Sequence, residues 1–354
     1  MIKRILYTLL IMFPVLASAQ INTDRVMAIG RNALYFEDYV LSIQYFNQVI
    51  NAKPYLSDPY FYRGLAKINL DDFQGAESDC SEAIERNPFV VSAYQVRGLA
   101  RIQQNNFAGA IEDYTKALEF DPENIGVWHN MALCRIRQED YKGAKNDLDK
   151  LIAISPRYTK AYLMRGEVDL KQKDTLAAEK DFGKAIEIDR YDADTWASRA
   201  ILRLQQQRYK DAEADFDHAI RLSTRNSGVY INRALARYHQ NNLRGAMSDY
   251  DIALDIDPNN FIGHYNRGLL RAQVGDDNRA IQDFNFVIEM EPDNMMAIFN
   301  RGLLLDQTGD YKGAIKDYST VINEYPNFLL GYQYRAQARR KIGDVKGCLL
   351  YTSD

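Results

Sequence analysis

The sequence predicts an all-α fold, a solenoid of stacked antiparallel helix pairs, and three observations carry that expectation. Prolines fall at 54, 88, 122 and 156 and again at 258, 292 and 326, every interval inside the two groups being 34 residues. The gap from 156 to 258 is three such steps, and the missing ones land on Arg190 and Thr224 without loss of register. Small and aromatic residues also hold fixed places, so that nine full units run over 23–328 with no insertion or deletion. A period of this length marks a repeat architecture, and it overrides the two or three domains that 354 residues would otherwise suggest.

Before the repeats, residues 1–19 have the three-part layout of a secretory signal. Lys3 and Arg4 open it, an apolar run of twelve residues follows from Ile5 to Leu16, and Ala17-Ser18-Ala19 closes it. Twelve residues at ~1.5 Å each are too short to span a hydrocarbon core of ~30 Å. The mature chain is expected to begin at Gln20, and loss of the two leader cations takes its net charge from −4 to −6. No run of basic charge suits a nucleic acid, so no nucleic-acid partner is expected.

Each unit explains itself as two helices. In 91–124, Tyr94, Arg97, Gly98 and Arg101 are spaced i, i+3, i+4, i+7 and share one face of a first helix. Ala110, Asp113, Tyr114 and Ala117 repeat the spacing on a second helix. Polar "QNN" lies between them, and Pro122, which lacks an N–H, ends the second helix.

In this pattern the chain resembles the tetratricopeptide repeat family. An aromatic slot holds Tyr60, Tyr94, Trp128, Tyr162, Trp196, Tyr230 and Tyr332, with Val26, His264 and Ile298 departing. Gly or Ala follows four residues later in all ten units, from Gly30 to Ala336. Ala recurs on the second helix from Ala76 to Ala314, with Ser42 in the first unit, and a large side chain such as Tyr114, Phe182 or Phe284 follows it. The resemblance covers essentially the whole mature chain. It implies a right-handed superhelical solenoid whose first helices line a concave groove that holds peptides or protein segments. It also implies a stack in which each unit is stabilised by its neighbours.

A departure from the family has physical content. Arg63, Arg97, Arg165, Arg199, Arg233, Arg267, Arg301 and Arg335 stand just before the small slot. Asp79, Asp113, Asp181, Asp215, Asp249, Asp283 and Asp317 precede the large residue of the second helix. Arg97 and Asp113 each lie eight residues from Asn105 in the turn, which puts them at the same height in an antiparallel pair. Structural ion pairs within each unit follow: Arg97–Asp113, Arg199–Asp215, Arg233–Asp249, Arg267–Asp283 and their sisters. Within the nine full units, same-unit pairing leaves only Asp147 orphaned, since Met131 replaces its Arg; pairing with the preceding unit leaves two orphans, Arg63 and Asp113. Further bases such as Lys67, Arg101 and Arg135 are placed to share these carboxylates.

Nothing in the sequence points to catalysis, a cofactor or a metal site: the four histidines fall at unrelated places, and no Gly-rich phosphate loop or paired-histidine spacing occurs. Cys80 and Cys134 sit in packing slots two units apart, a separation that argues against a disulfide. Function is therefore expected on the groove face, which the family resemblance assigns to the first helices. Residues two past the aromatic slot turn ~200° from it; these include Tyr62, Asn130, Asn232, Asn266 and Asn300, with Phe61, Tyr265 and Phe299 one position earlier. Amides there can bond the backbone of an extended peptide and aromatics can cover its side chains; equally, Asn is a tolerated exposed residue. The groove slots carry few lysines, which puts an acidic C-terminal peptide in doubt.

The chain closes oddly. After Gly347 the repeat pattern breaks into CLLYTSD, and TGT CTC TTA TAC ACA TCT GAC of a common transposase-derived sequencing adapter encodes those seven residues. Residues 348–354 are therefore read as adapter, and the array as 20–347 with a partial tenth unit at 329–347. The expectation is an exported, non-enzymatic scaffold, periplasmic or secreted, binding a protein or peptide. Two alternatives stay open: the ectodomain of a larger sensory membrane protein, and the N-terminal part of an enzyme whose output domain follows.

Overall fold

The structure, a computed structural model, describes residues 22–223 and 225–344. The leader expected at 1–19 and the closing heptapeptide 348–354 lie outside the described residues. Nineteen helices and no strand occur among those described. First helices of the pairs are α1 (Thr23–Tyr35), α3 (Asp58–Ile68), α5 (Val91–Gln103), α7 (Ile125–Arg137), α9 (Thr159–Lys171), α11 (Ala193–Gln205), α13 (Ser227–His239), α15 (Phe261–Gln273), α17 (Met295–Thr308) and α19 (Leu329–Lys341). Second helices are α2 (Tyr39–Ala52), α4 (Phe73–Arg86), α6 (Phe107–Phe120), α8 (Tyr141–Ile154), α10 (Thr175–Ile188), α12 (Tyr209–Leu222), α14 (Leu243–Ile256), α16 (Asp277–Met290) and α18 (Tyr311–Glu324).

The chain divides into two compact units, one ending at Asp181 and the other beginning at Phe182, both within α10. Within each, neighbouring helices pack on one another both inside a pair, as α5 on α6, and between successive pairs, as α4 on α5. Carboxylate or amide side chains cap most second helices: Asp72, Asn106, Asp140, Asn242 and Asp310 each accept from the N–H three residues on.

The small slot has a steric cause. At Gly98 an added Cβ would stand 2.7 Å from the Tyr114 ring, so the two helices of the pair can meet only over a hydrogen. The aromatic slot has a polar cause as well as an apolar one. The carbonyl six residues earlier, at the proline position, accepts from Tyr162 Oη (3.1 Å), Trp128 Nε1 (2.8 Å) and Trp196 Nε1 (2.9 Å). His264 Nε2 stands 3.0 Å from the same carbonyl in its own repeat. An aromatic ring with a donor at its tip is what these four positions share.

Each turn inside a pair carries one residue in the left-handed region. Seven are not glycine, from Glu37 (φ 61°) through Lys173 (65°) and Gln207 (62°) to Asn241 (61°). The last three are Gly275, Gly309 and Gly343, at φ 81°, 91° and 79°.

Candidate interaction surface

Along the pairs, the buried aspartates of the second helices are gripped by arginines of the first. Asp113, 2 % exposed, accepts from Arg97 Nη2 at 2.6 Å and from Arg101 Nη1 at 3.1 Å. Asp215 accepts from Arg199 Nε and Arg203 Nη1, both at 2.8 Å. Asp249 is held by Arg233 and Arg237, and Asp283 by Arg267 and Arg271, at 2.6–2.9 Å. Arg63–Asp79, Arg165–Asp181 and Arg301–Asp317 repeat the same-unit contact. The aspartates are buried while the arginines keep 12–23 % of their side-chain surface in water.

Apart from Arg199, which faces Gly183, the arginines before the small slot also reach backwards, which the sequence reasoning did not foresee. Arg233 Nη1 bonds Asp217 at 2.7 Å and Arg267 Nη1 bonds Asp251 at 2.8 Å, sixteen residues earlier on the preceding second helix. Arg63–Asn47, Arg97–Ser81, Arg165–Asp149 and Arg301–Asn285 do the same. One guanidinium thus fastens its own pair with two nitrogens and the preceding pair with the third, the use for which a rigid fork is suited. The signal was present: residues 47, 81, 115, 149, 217, 251, 285 and 319 are all short and polar.

Asp147 departs from this pattern. Met131 stands where the arginine would be, and its Sδ lies 4.0 Å from Thr115 Oγ1. Arg135 Nε comes to 2.8 Å of Asp147 Oδ2, but the two atoms are badly aligned for a hydrogen bond. Burial pushes the Asp147 carboxyl up to about 6, with Asp140 adding to the shift and Arg135 opposing it.

The residues anticipated on the groove face are all half-buried. Phe61 and Tyr62 sit side by side, ring centres 5.0 Å apart, and Tyr62 stacks on Phe46 at 5.8 Å. Asn300 Nδ2 donates to Tyr265 Oη at 3.1 Å, joining two of these residues between α15 and α17 of successive pairs. Phe299 packs against Phe328 (5.0 Å), Tyr318 and Tyr334, and Tyr265 lies edge-on to Phe284 at 5.8 Å. Asn130, Asn232 and Asn266 present part of their surface on α7, α13 and α15.

In the first unit a hollow of about 530 Å³ opens between α7 and α9, lined by His129, Leu133, Ile136, Arg137, Tyr141, Met164, Glu167 and Lys171 among others. His129, Leu133, Ile136 and Arg137 are spaced i, i+4, i+7, i+8, so stepping along the helix from the slot beside Asn130 would have found them. Burial lowers the pKa of the His129 imidazole, with Lys160 adding to it, and Tyr158 Oη lies 3.3 Å from Nδ1.

Chemical groups of another kind are not assembled among the described residues. No cluster of His, Cys, Asp or Glu there suits a metal ion. Cys80 and Cys134 are free, buried thiols, pushed up to about 12 and about 11 by burial and therefore not poised as nucleophiles. Among the described residues no helix is long and apolar enough to cross a membrane.

Stacked helix pairs joined by arginine fasteners define a repeat protein whose fold serves as a protein-interaction scaffold. The chain belongs to the tetratricopeptide repeat family. Family models described as TPR repeat match residues 98–134, and models described as tetratricopeptide repeat match 125–158, 159–192, 198–261 and 265–327. No curated protein matches the chain by sequence. Among solved structures, a tetratricopeptide repeat protein from Parabacteroides merdae is similar with a TM-score of 0.54 at 21% identity, over 70% of this chain and 98% of that one. The C-terminal part of a TPR repeat-containing protein from Cytophaga hutchinsonii gives 0.55 at 17% identity, over 67% of this chain and 97% of that one. Pseudomonas aeruginosa pilF gives 0.55 at 18%, over 61% and 98%. At these identities the likeness is one of fold.

Proposed function

We propose that the protein is an exported, non-enzymatic scaffold that holds an extended peptide or protein segment against its first helices, without engaging nucleic acid. The hollow between α7 and α9 is the observation that carries this reading. Its floor of Leu133, Ile136 and Met164 offers apolar surface for a side chain, and Arg137, Glu167 and Lys171 supply polar groups at the edge. The buried side of most pairs is already committed to the arginine–aspartate contacts, which leaves the first-helix face as the adaptable surface. Export rests on the leader at 1–19.

A photo-crosslinking residue at Ile136, compared with one at Asp121 on the far turn, tests the binding surface. A partner segment is expected to couple at Ile136 and to be lost with Leu133→Glu or Met164→Glu. Coupling at Asp121 alone, or binding indifferent to both substitutions, overturns the reading. Mass spectrometry of the expressed chain tests export through a mature N terminus at Gln20.

A further inference from the structure

The second unit holds a different hollow, of about 590 Å³, lined by Ile186, Glu187, Arg190, Tyr191, Trp196, His218, Arg221 and Leu222. It lies where α10 and α12 end and α11 begins, away from the first-helix face. Arg190 holds one of the two places at which the 34-residue run of prolines is interrupted.

Three features of this hollow belong together. Its walls are largely apolar: Ile186 and Leu222, the exposed ring of Tyr191, and Trp196 stacked on His218 with ring centres 4.3 Å apart. Two exposed arginines stand at it, and among the described residues neither Arg190 nor Arg221 has an ion-pair partner. The carboxylate within the lining, Glu187, is held by Lys184 at 2.9 Å.

Arg221 would also offset the carbonyl end of α12. That role does not account for it, because α6, α8, α14, α16 and α18 end with no basic residue in the last turn. Arg86, which closes α4, is by contrast fully engaged: it donates to the Pro54 carbonyl, pairs with Glu82 and lies over the Tyr60 ring at 4.1 Å.

We infer that this hollow is a binding site for an apolar carboxylate, whose hydrocarbon or aromatic body rests on Trp196, Ile186 and Leu222 while its anion is taken by Arg190 and Arg221. A planar guanidinium matches a carboxylate with two parallel donors, and the apolar walls lower the local dielectric that strengthens such a bond. The site is separate from the proposed groove and does not rest on it.

Trp196 supplies the reporter. The chain has two tryptophans, and Trp128→Tyr, a residue that other repeats use in that slot, leaves Trp196 alone. N-acetyl-phenylalanine added to this variant is expected to change Trp196 fluorescence saturably. Its neutral amide should bind at least ~10-fold more weakly, and Arg190→Gln with Arg221→Gln should weaken the acid to the same extent. A short peptide ending in Phe separates the two sources of this chemistry: tighter binding than the free acid assigns a chain terminus, weaker binding a small molecule. Equal affinity for acid and amide, no effect of the double substitution, or no saturation at millimolar concentration overturns the inference. Circular dichroism of the double variant guards the comparison, and groove substitutions such as Leu133→Glu are expected to leave this binding unchanged.

Discussion

Arg135 reaches Asp147 at 2.8 Å from the position that Arg101 and Arg237 use on Asp113 and Asp249, while Met131 takes the place from which Arg97 and Arg233 grip theirs. Asp147 is therefore a buried carboxylate with half of its usual support, and its upward shift to about 6 is the expected consequence.

The sign of the pH dependence follows. Folding favours the protonated form of Asp147, so this group's contribution falls as pH rises from near 4 through 6, and the full penalty is present above 6. At ~1.4 kcal/mol per pKa unit the penalty is on the order of 3 kcal/mol. Asp147→Asn is expected to raise the unfolding free energy at pH 8 and leave it nearly unchanged at pH 4, as urea titrations at the two pH values would read. Met131→Arg should bring the same gain at pH 8 while keeping the carboxylate. Equal effects of Asp147→Asn at both pH values would show that the carboxyl is not shifted.

Where both arginines are present, loss of the aspartate acts the other way. Asp215→Ala takes from Arg199 and Arg203 the buried acceptor they share, and removing one member of a buried pair costs ~3 kcal/mol. The arginines are partly wet, which brings the expected loss toward the lower end. A thermal melt that does not move would show the pair to be solvent-screened.

Periodicity made the fold legible because it acts at every position: proline, small slot, aromatic slot and alanine all repeat in one register. The same-unit Arg–Asp geometry could be read from equal distances to the turn. Contacts to the preceding pair were not read, because they link residues of different units, and no local helical spacing marks them. The slot's rotation picks out Tyr62, Asn130 and Asn300 as groove candidates; it does not reach Leu133, Ile136, Arg137 and Lys171 of the hollow between α7 and α9, which lie one and two turns further along. The hollow around Trp196 gave no pattern at all, since its walls come from two helix ends, a turn and the start of a third helix.

A charge reversal tests whether the cross-pair contacts are energetic units. Arg101 Nε bonds Glu77 at 2.8 Å and Arg237 Nε bonds Glu213 at 2.7 Å, each reaching back twenty-four residues. At the same two places on the fourth and fifth repeats the signs are exchanged, with Asp169 contacting Lys145 at 2.5 Å. Asp169 is 1 % exposed, so the single change Lys145→Glu sets two carboxylates together and is expected to destabilise by ~2 kcal/mol or more. Adding Asp169→Arg should recover that loss, and the new arginine gains Asp181 as a second acceptor by analogy with Arg101 on Asp113. A double-mutant cycle with a coupling under ~0.5 kcal/mol would show the two positions to be independent.

The turns inside the pairs offer a reciprocal test of backbone strain. Gln207 adopts φ 62° and Gly275 φ 81° at equivalent places two repeats apart. A side chain in the left-handed region brings its Cβ toward the following carbonyl, at ~1 kcal/mol, and glycine avoids that cost. Gln207 is exposed, so Gln207→Gly removes strain without removing packing. Glycine also widens the unfolded ensemble, which offsets part of the gain. The expected result is a rise of a few tenths of a kcal/mol for Gln207→Gly and a loss of ~1 kcal/mol for Gly275→Ala. An added Cβ at Gly275 meets nothing within 4 Å, so any loss there is conformational in origin. Should Gly275→Ala prove neutral, the left-handed turn is not a constraint shared by the repeats.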